Sequence, residues 1–214
     1  RSASERRPIV VWNITAACNL KCLHCYSSST TVRNPDELST IQAKAVLDDL
    51  ASFGVPVVLF SGGEPLMRSD LLELLEYAVT KGLRTVISTN GTLLDAEAGQ
   101  RLKALNVSYV GISLDGIGEV NDQFRGVTGA FDKAVAGIEA AQNAGLRTGL
   151  RLTLTRRNVE ELEGIFDFIE SRNIERACFY HLVPTGRGAG LAGERLRHQQ
   201  TREALDLICE RTAS

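Results

Sequence analysis

Apolar residues recur along this chain in two alternating rhythms, short continuous runs of strand length and longer stretches with helical spacing, punctuated by glycines. The first run, Pro8 to Ile14, predicts a strand. Ser39 to Phe53 predicts a helix that opens in a capping box of Ser39 with Gln42 and stops at Gly54. Val55 to Phe60 is then an uninterrupted apolar run, the pattern of a strand buried on both faces. Ser69 offers a cap to a second helix carrying Leu71, Leu72, Leu75, Ala78 and Val79, which Gly82 ends before a strand over Arg84 to Ser88. Three more rounds follow. A helix near Asp95 to Leu105 leads to a strand over Val107 to Leu114. A helix from Ala130 to Asn143, closed by Gly145, leads to a strand over Arg147 to Thr155. A helix opened by Asn158 with Glu161 leads to a strand over Ala177 to Val183, and Glu194 to Thr212 has the spacing of a last helix.

Six strands, each followed by a helix or a long connection leading to one, imply crossovers and a single parallel sheet in an α/β chain. A complete eight-unit barrel takes about 250 residues. Six units in 214 residues therefore predict an open, partial (βα)6 barrel of the TIM type. It is expected over residues 1–193, with 194–214 a terminal helix leading to a C-terminal extension outside this sequence. The only methionine is Met67, so a fragment of a longer chain is expected. Parallel barrels place their active sites at the carboxyl ends of the strands. There, the connection from Asp115 to Gly129 is long and rich in glycine, as loops that carry substrate contacts often are.

Composition narrows the partners more than the chemistry. A hydrophobic content of 43% with 23% charged residues is ordinary for a globular α/β protein. With 24 basic and 26 acidic residues the net charge is −2, so no broad attraction to nucleic acid or membranes is implied, and recognition is expected from a pocket. No apolar run approaches a membrane-spanning length, and Arg1 to Arg7 lacks a signal-peptide hydrophobic region. A reducing cytoplasm is the expected compartment.

Chemistry enters with Cys18, Cys22 and Cys25, three cysteines within eight residues. Three thiolates in one short loop suit three irons of a 4Fe–4S cube and leave the fourth iron open to a small ligand. Structural zinc, with His24 as fourth ligand, is the alternative, but His24 directly precedes Cys25 and no second CxxC pair follows. Five cysteines, an odd number, do not make a disulfide framework. Cys178 on a strand and Cys209 on an amphipathic helix read as small core residues.

The other polar groups cluster where predicted strands end. Ser61-Gly62-Gly63-Glu64-Pro65, Ser88-Thr89-Asn90-Gly91 and Ser113-Leu114-Asp115-Gly116 each follow a strand, and each is also a fair turn by itself. Arg125 reads either as a ligand contact or as an exposed loop residue. Arg151 reads as a cavity charge or a satisfied strand charge, and His181 as a ligand or a structural histidine.

The CxxxCxxC spacing, followed by Gly-Gly-Glu-Pro, resembles the radical S-adenosylmethionine (SAM) superfamily over nearly the whole chain. The segments Val11-Trp12-Asn13-Ile14-Thr15 and Arg176 to Gly188, with Cys25-Tyr26-Ser27-Ser28, are most similar to its haem d1 and alternative haem biosynthesis (NirJ-like) branch. The resemblance implies an enzyme with a 4Fe–4S cluster on Cys18, Cys22 and Cys25 that reductively cleaves SAM to a 5′-deoxyadenosyl radical. It implies SAM contacts from His24, Gly62, Gly63, Glu64, Asn90, Ser113, Asp115, Arg125, Leu182 and Val183, with Glu64 receiving the ammonium and Arg125 the carboxylate. No catalytic residue beyond the cluster and SAM is implied. The implied substrate is a siroheme-derived tetrapyrrole that loses side chains, with Arg125, Arg151 and Arg187 as carboxylate clamps, and the reductant is a flavodoxin or ferredoxin. An auxiliary iron–sulfur cluster, usual in this branch, would belong to a region outside the sequence. Two other functions stay open: a peptide-modifying radical SAM enzyme, and an iron–sulfur electron carrier.

Overall fold

In a computed structural model, which describes residues 7–213, the six expected strands form one parallel sheet in sequence order. The strands are β1 (Val10–Asn13), β2 (Val57–Ser61), β3 (Arg84–Thr89), β4 (Val110–Ser113), β5 (Thr148–Leu154) and β6 (Ala177–His181). Helices α1 (Thr40–Phe53), α2 (Leu71–Thr80), α3 (Ala96–Ala104), α5 (Ala130–Asn143) and α6 (Leu162–Ser171) return the chain from each strand to the next. A short α4 (Glu119–Arg125) precedes α5, and α7 (His198–Ala213) follows a 3₁₀ stretch over Gly186–Glu194.

The sheet is curled. Adjacent strands lie about 4.8 Å apart, so a flat sheet of six would hold its edges roughly 24 Å from each other. Instead, the amide of Arg187, just past β6, donates to the carbonyl of Cys25, past β1, at 3.0 Å. The partial barrel inferred from the repeat is the fold observed.

The convex face packs against the helices and makes the core. Val58, Phe60, Ile87, Val110, Ile112 and Leu150 from the strands meet Leu47, Leu74, Leu75, Leu102 and Ile138 from the helices, all essentially buried. A second cluster joins Leu152 and Leu154 to Leu162, Ile165, Phe166 and Ala204. The concave face is different, and here the expected burial of β2 on both faces is corrected. Val58 and Phe60 are buried, whereas Val57 and Leu59 alternate with them and are half-exposed, because they face the hollow of the barrel. Val11 on β1 is 63% exposed for the same reason.

Helix ends follow the sequence in part. The capping box of Ser39 and Gln42 and the left-handed Gly54 form as read, and Asp95 caps α3 through the amide of Ala98. Ser69 does not cap α2; Asp70 occupies that place without a side-chain cap, because its carboxylate is held by Arg68 and Thr40. Nor does Asn158 cap a helix. It is fully buried, donates to the carbonyls of Asp115 and Thr153 at 2.9 Å each, and accepts from the amide of Thr155, which ties β4 to β5. Cys209, expected in the core, is exposed on α7, and Cys178 is half-buried.

Arg68 is a brace that its sequence context did not mark. Its guanidinium, almost fully buried, donates to the carbonyls of Ile14 at 2.7 Å and Leu38 at 2.9 Å and pairs with Asp70 at 2.7 Å. It thereby fastens the end of β1 and the start of α1 to the β2–α2 connection. Hydrogen bonds from a charged group into a buried site are worth about 1.5–3 kcal/mol each. Arg68→Met is expected to lower the unfolding free energy by about 3 kcal/mol, measured by urea denaturation. Arg68 also holds the Asp70 carboxyl down at about 2. The stabilisation is therefore complete above the unfolded value of about 4 and is lost as pH falls through about 2, a step that Arg68→Met should erase from the acid-unfolding curve.

Candidate functional site

The strand ends and the cysteine segment enclose a cavity of about 500 Å³. Cys18, Cys22 and Cys25 line it together, with Ser61, Ser88, Ser113, Arg151 and Tyr180 contributed by successive strands. The cysteine segment has almost no regular structure of its own, so neighbouring backbone fixes its shape. On one side lies the turn after β2: the amide of Gly63 donates to Thr15 and that of Glu64 to Ala17, both at 2.7 Å. A Cβ on Gly63 would stand 2.2 Å from the Ala17 carbonyl oxygen, so only glycine lets the two backbones meet. On another side, the carbonyls at the end of α4 accept from Lys21 and Leu23, which satisfies helix-end acceptors with loop amides. Glu37 completes the hold, accepting from Thr15 Oγ1 at 2.8 Å and the Ala16 amide at 2.6 Å.

Donors surround the sulfurs. The Leu20 amide lies 3.4 Å from Cys18 Sγ, Asn90 Nδ2 lies 3.9 Å from the same sulfur, and Arg125 Nη1 lies 3.8 Å from Cys22 Sγ. Burial pushes the Cys18 thiol up to about 11, and the neighbouring thiols add to that effect. Burial raises Cys25 as well, but hydrogen bonds from Ser27 and Ser29 and the charge of Arg187 outweigh it, leaving the thiol below its usual value. Buried thiols that repel one another once ionised need a metal to hold them as thiolates. Among the described residues no three Cys, His, Asp or Glu side chains converge as the ligands of one metal ion do. Three cysteines that line one cavity, with donors at their sulfurs, could each take one iron of a multi-iron cluster. The donor set therefore fits a cube.

Next to the sulfurs is a charged group built from β4, α4 and the cysteine segment. Arg125 Nη2 pairs with Asp115 Oδ2 at 2.6 Å, His24 Nε2 approaches the same oxygen at 3.2 Å, and the Thr153 amide donates to Oδ1 at 2.8 Å. Burial lowers the His24 pKa below its ordinary value, and the Asp115 carboxylate opposes that shift. Its ring packs edge-on against Phe124, and its Nδ1 has no hydrogen-bond partner among the described residues.

Most of the residues expected around a ligand do meet here: His24, Gly62, Gly63, Asn90, Ser113, Asp115, Arg125 and Val183 all line the cavity. Two others, Glu64 and Leu182, are not among the residues that line it. Glu64 is completely buried, and its carboxylate accepts from Leu66 N at 3.0 Å, Thr89 Oγ1 at 2.7 Å and Asn90 N at 2.7 Å. It therefore braces two strand-end turns, with Oε1 accepting two of these bonds and Oε2 one. Leu182 is buried away from the cavity wall, and its neighbour Val183 takes that place. Arg125 is not an exposed loop residue. The connection after β4 folds into α4, and Arg125 lies buried in its last turn. Arg151 lies over the ring of Tyr180 at 5.0 Å and lines the cavity, as does His181. Arg187 belongs to the cysteine segment rather than to a clamp on substrate, because its guanidinium is bonded to the carbonyls of Cys22 and Ser29. The roles of Glu37, of Asn158 and of Asn19, whose Oδ1 accepts from Asn90 Nδ2 at 2.9 Å, were invisible in sequence, since each acts on backbone or amide groups from distant segments.

Comparison with known proteins agrees with this geometry. The model of the radical SAM superfamily matches residues 12–169. The Fe-coproporphyrin III synthase of Methanosarcina barkeri is 54% identical over 98% of this chain and 53% of its own length. The pre-heme d1 synthase of Dinoroseobacter shibae is 42% identical over 96% of this chain and 51% of its own. The chain thus spans about half the length of these relatives. In fold it resembles Streptococcus suis SuiB bound to S-adenosylmethionine, with a TM-score of 0.75 over 95% of this chain and 48% of that one at 18% identity. The matched segment covers well over half the chain and contains all three clustered cysteines, and the chain belongs to the radical SAM superfamily.

Proposed function

We propose that this chain is the catalytic half-barrel of an enzyme that removes carboxylate-bearing side chains from a siroheme-derived tetrapyrrole in haem biosynthesis. The observation that carries this reading is the convergence of three cysteines and residues from all six strands, five of them at the strand ends, on one cavity. The relatives add the substrate class, since those reported above are named for Fe-coproporphyrin III and pre-heme d1. A 4Fe–4S cluster and SAM, when bound, would supply one-electron reductive chemistry able to take a hydrogen atom from a substrate C–H bond.

The residues of the chain divide the remaining work. Cys18, Cys22 and Cys25 hold the cluster. Gly62, Gly63, Asn90 and Ser113 present backbone and short polar groups to SAM, and Arg125, kept in place by Asp115, offers it a cation. His24 and Val183 contribute the flat and apolar surface that an adenine needs. No proton transfer by a side chain is required to begin.

Arg151 is the substrate contact. It lies over Tyr180, lines the cavity and has no carboxylate within ion-pair distance among the described residues. Its charge is thus free for an anionic side chain of the tetrapyrrole.

Reconstitution of this chain with iron and sulfide without oxygen, followed by reduction and addition of SAM, tests the reading. Formation of 5′-deoxyadenosine should rise when didecarboxysiroheme is added, with loss of its carboxylate side chains by mass. Cleavage that ignores the tetrapyrrole would redirect the substrate search to peptides. Full SAM cleavage after Cys18→Ala, Cys22→Ala or Cys25→Ala would overturn the cluster assignment. Gly63→Ala, which forces the Ala17 carbonyl away, is expected to lose most of its iron while keeping its far-UV circular dichroism. Arg151→Gln is expected to raise KM for the tetrapyrrole about 10- to 100-fold, the loss of one charge-assisted hydrogen bond.

A further inference from the structure

Arg187 follows β6, at the far edge of the sheet from the cysteine segment in strand order, yet it is bonded to that segment at three points. Its Nε donates to the Cys22 carbonyl at 2.9 Å, its Nη1 to the Ser29 carbonyl at 2.6 Å, and its amide to the Cys25 carbonyl at 3.0 Å. The glycines on either side make the approach possible. A Cβ on Gly186 would stand 2.5 Å from the carbonyl oxygens of Cys25 and Tyr26, and one on Gly188 would stand 2.6 Å from that of His24. Gly186-Arg187-Gly188 is thus a backbone cradle for the second half of the cysteine segment, with a guanidinium at its centre.

We propose that Arg187 is a positioning residue that holds the Cys22–Ser29 loop in shape and sets the reduction potential of the cluster bound there. The second part rests on the cluster reading above. A planar fork is needed because the two carbonyls belong to residues seven positions apart, and a lysine ammonium, a point charge on a flexible stem, cannot reproduce both bonds in one fixed geometry. The charge itself stays uncompensated. Carbonyls carry no net charge, and among the described residues no carboxylate lies within ion-pair distance of Arg187. A fixed cation beside a cluster that becomes more negative on reduction favours the reduced form, and the half-burial of Arg187 in the cavity wall reduces screening.

The test compares wild type, Arg187→Met and Arg187→Lys of this chain after reconstitution. Arg187→Met is expected to keep its secondary structure, shift the midpoint potential of the cluster to a more negative value and alter the electron paramagnetic resonance signal of the reduced state. Without metal, it should show faster amide hydrogen exchange over residues 22–29. Arg187→Lys should restore the potential and leave the exchange fast, which separates charge from shape. An Arg187→Met protein whose potential, resonance signal and exchange all match wild type overturns the inference while leaving the cluster assignment intact. If Arg187→Met does not fold, Arg187→Lys and Gly188→Ala decide: raised exchange over residues 22–29 in both supports the loop role, and wild-type exchange in both overturns it. Wild-type protein that takes up no iron overturns the cluster reading and the claim about potential together.

Discussion

The site depends on one constraint: a segment with hardly any hydrogen-bonded structure of its own must present three sulfurs in a fixed arrangement. An unsupported loop of this length would sample many shapes, at an entropic cost of about 1–2 kcal/mol for each residue that a ligand then had to order. The fold removes that cost beforehand by surrounding the segment with backbone from three places. The turn after β2 meets Thr15 and Ala17, the end of α4 meets Lys21 and Leu23, and the stretch after β6 meets Cys22, Cys25 and Ser29. Only a curled sheet brings these three together, since they come from strands two, four and six of a sheet whose edges would otherwise stand far apart. The curl also explains why the concave residues of β1 and β2 remain exposed while the convex ones form the core.

Electrostatics then decides which side chains remain available. Glu64, Glu37 and Asp115 are carboxylate residues that touch the cysteine segment, and all are engaged by the chain's own donors. For Glu64, complete burial raises the carboxyl pKa, and three hydrogen bonds oppose that rise. An acceptor in such a position acts as a knot between turns. Asp115 serves likewise, joining Arg125, His24 and the Thr153 amide at one point, so that the guanidinium 3.8 Å from the Cys22 sulfur is held in place.

Much of this architecture was legible in the sequence because it is local. The period of apolar positions gave six strand–helix rounds, and the capping box at Ser39 and the stop at Gly54 depend on residues a few places apart. The cysteine triplet and the polar strand ends were visible for the same reason. What the sequence hid is long-range. Arg68 reaches Ile14 and Leu38, Asn158 reaches Asp115, and Arg187 reaches Cys22 across 165 positions. No periodicity or spacing records such partners. Glu64 shows the limit from the other side: a conspicuous charged residue in a ligand motif turned out to be fully buried and used internally, a fact that depends on how deep the turn sits.

The balance of charge in the cavity bears on the substrate. Over the whole chain the net charge is −2, and at physiological salt a field from distant groups is screened beyond about 8 Å, so any attraction for an anion must arise locally. Locally the balance is the reverse. Asp115 is matched by Arg125, whereas Arg151 and Arg187 line the same cavity with no carboxylate partner among the described residues. Arg187 is committed to the cysteine segment, which leaves Arg151 on its aromatic platform as the cation facing the hollow. Around it lie apolar surfaces that the fold leaves open, with Val11 63%, Val183 62% and Tyr180 40% exposed. A small amino acid would cover little of that surface, and a purely apolar molecule would leave the guanidinium without an anion. The tetrapyrrole proposed above, a broad, flat ring with carboxylates on its rim, would satisfy both requirements, its face shielding apolar area while an edge group met Arg151.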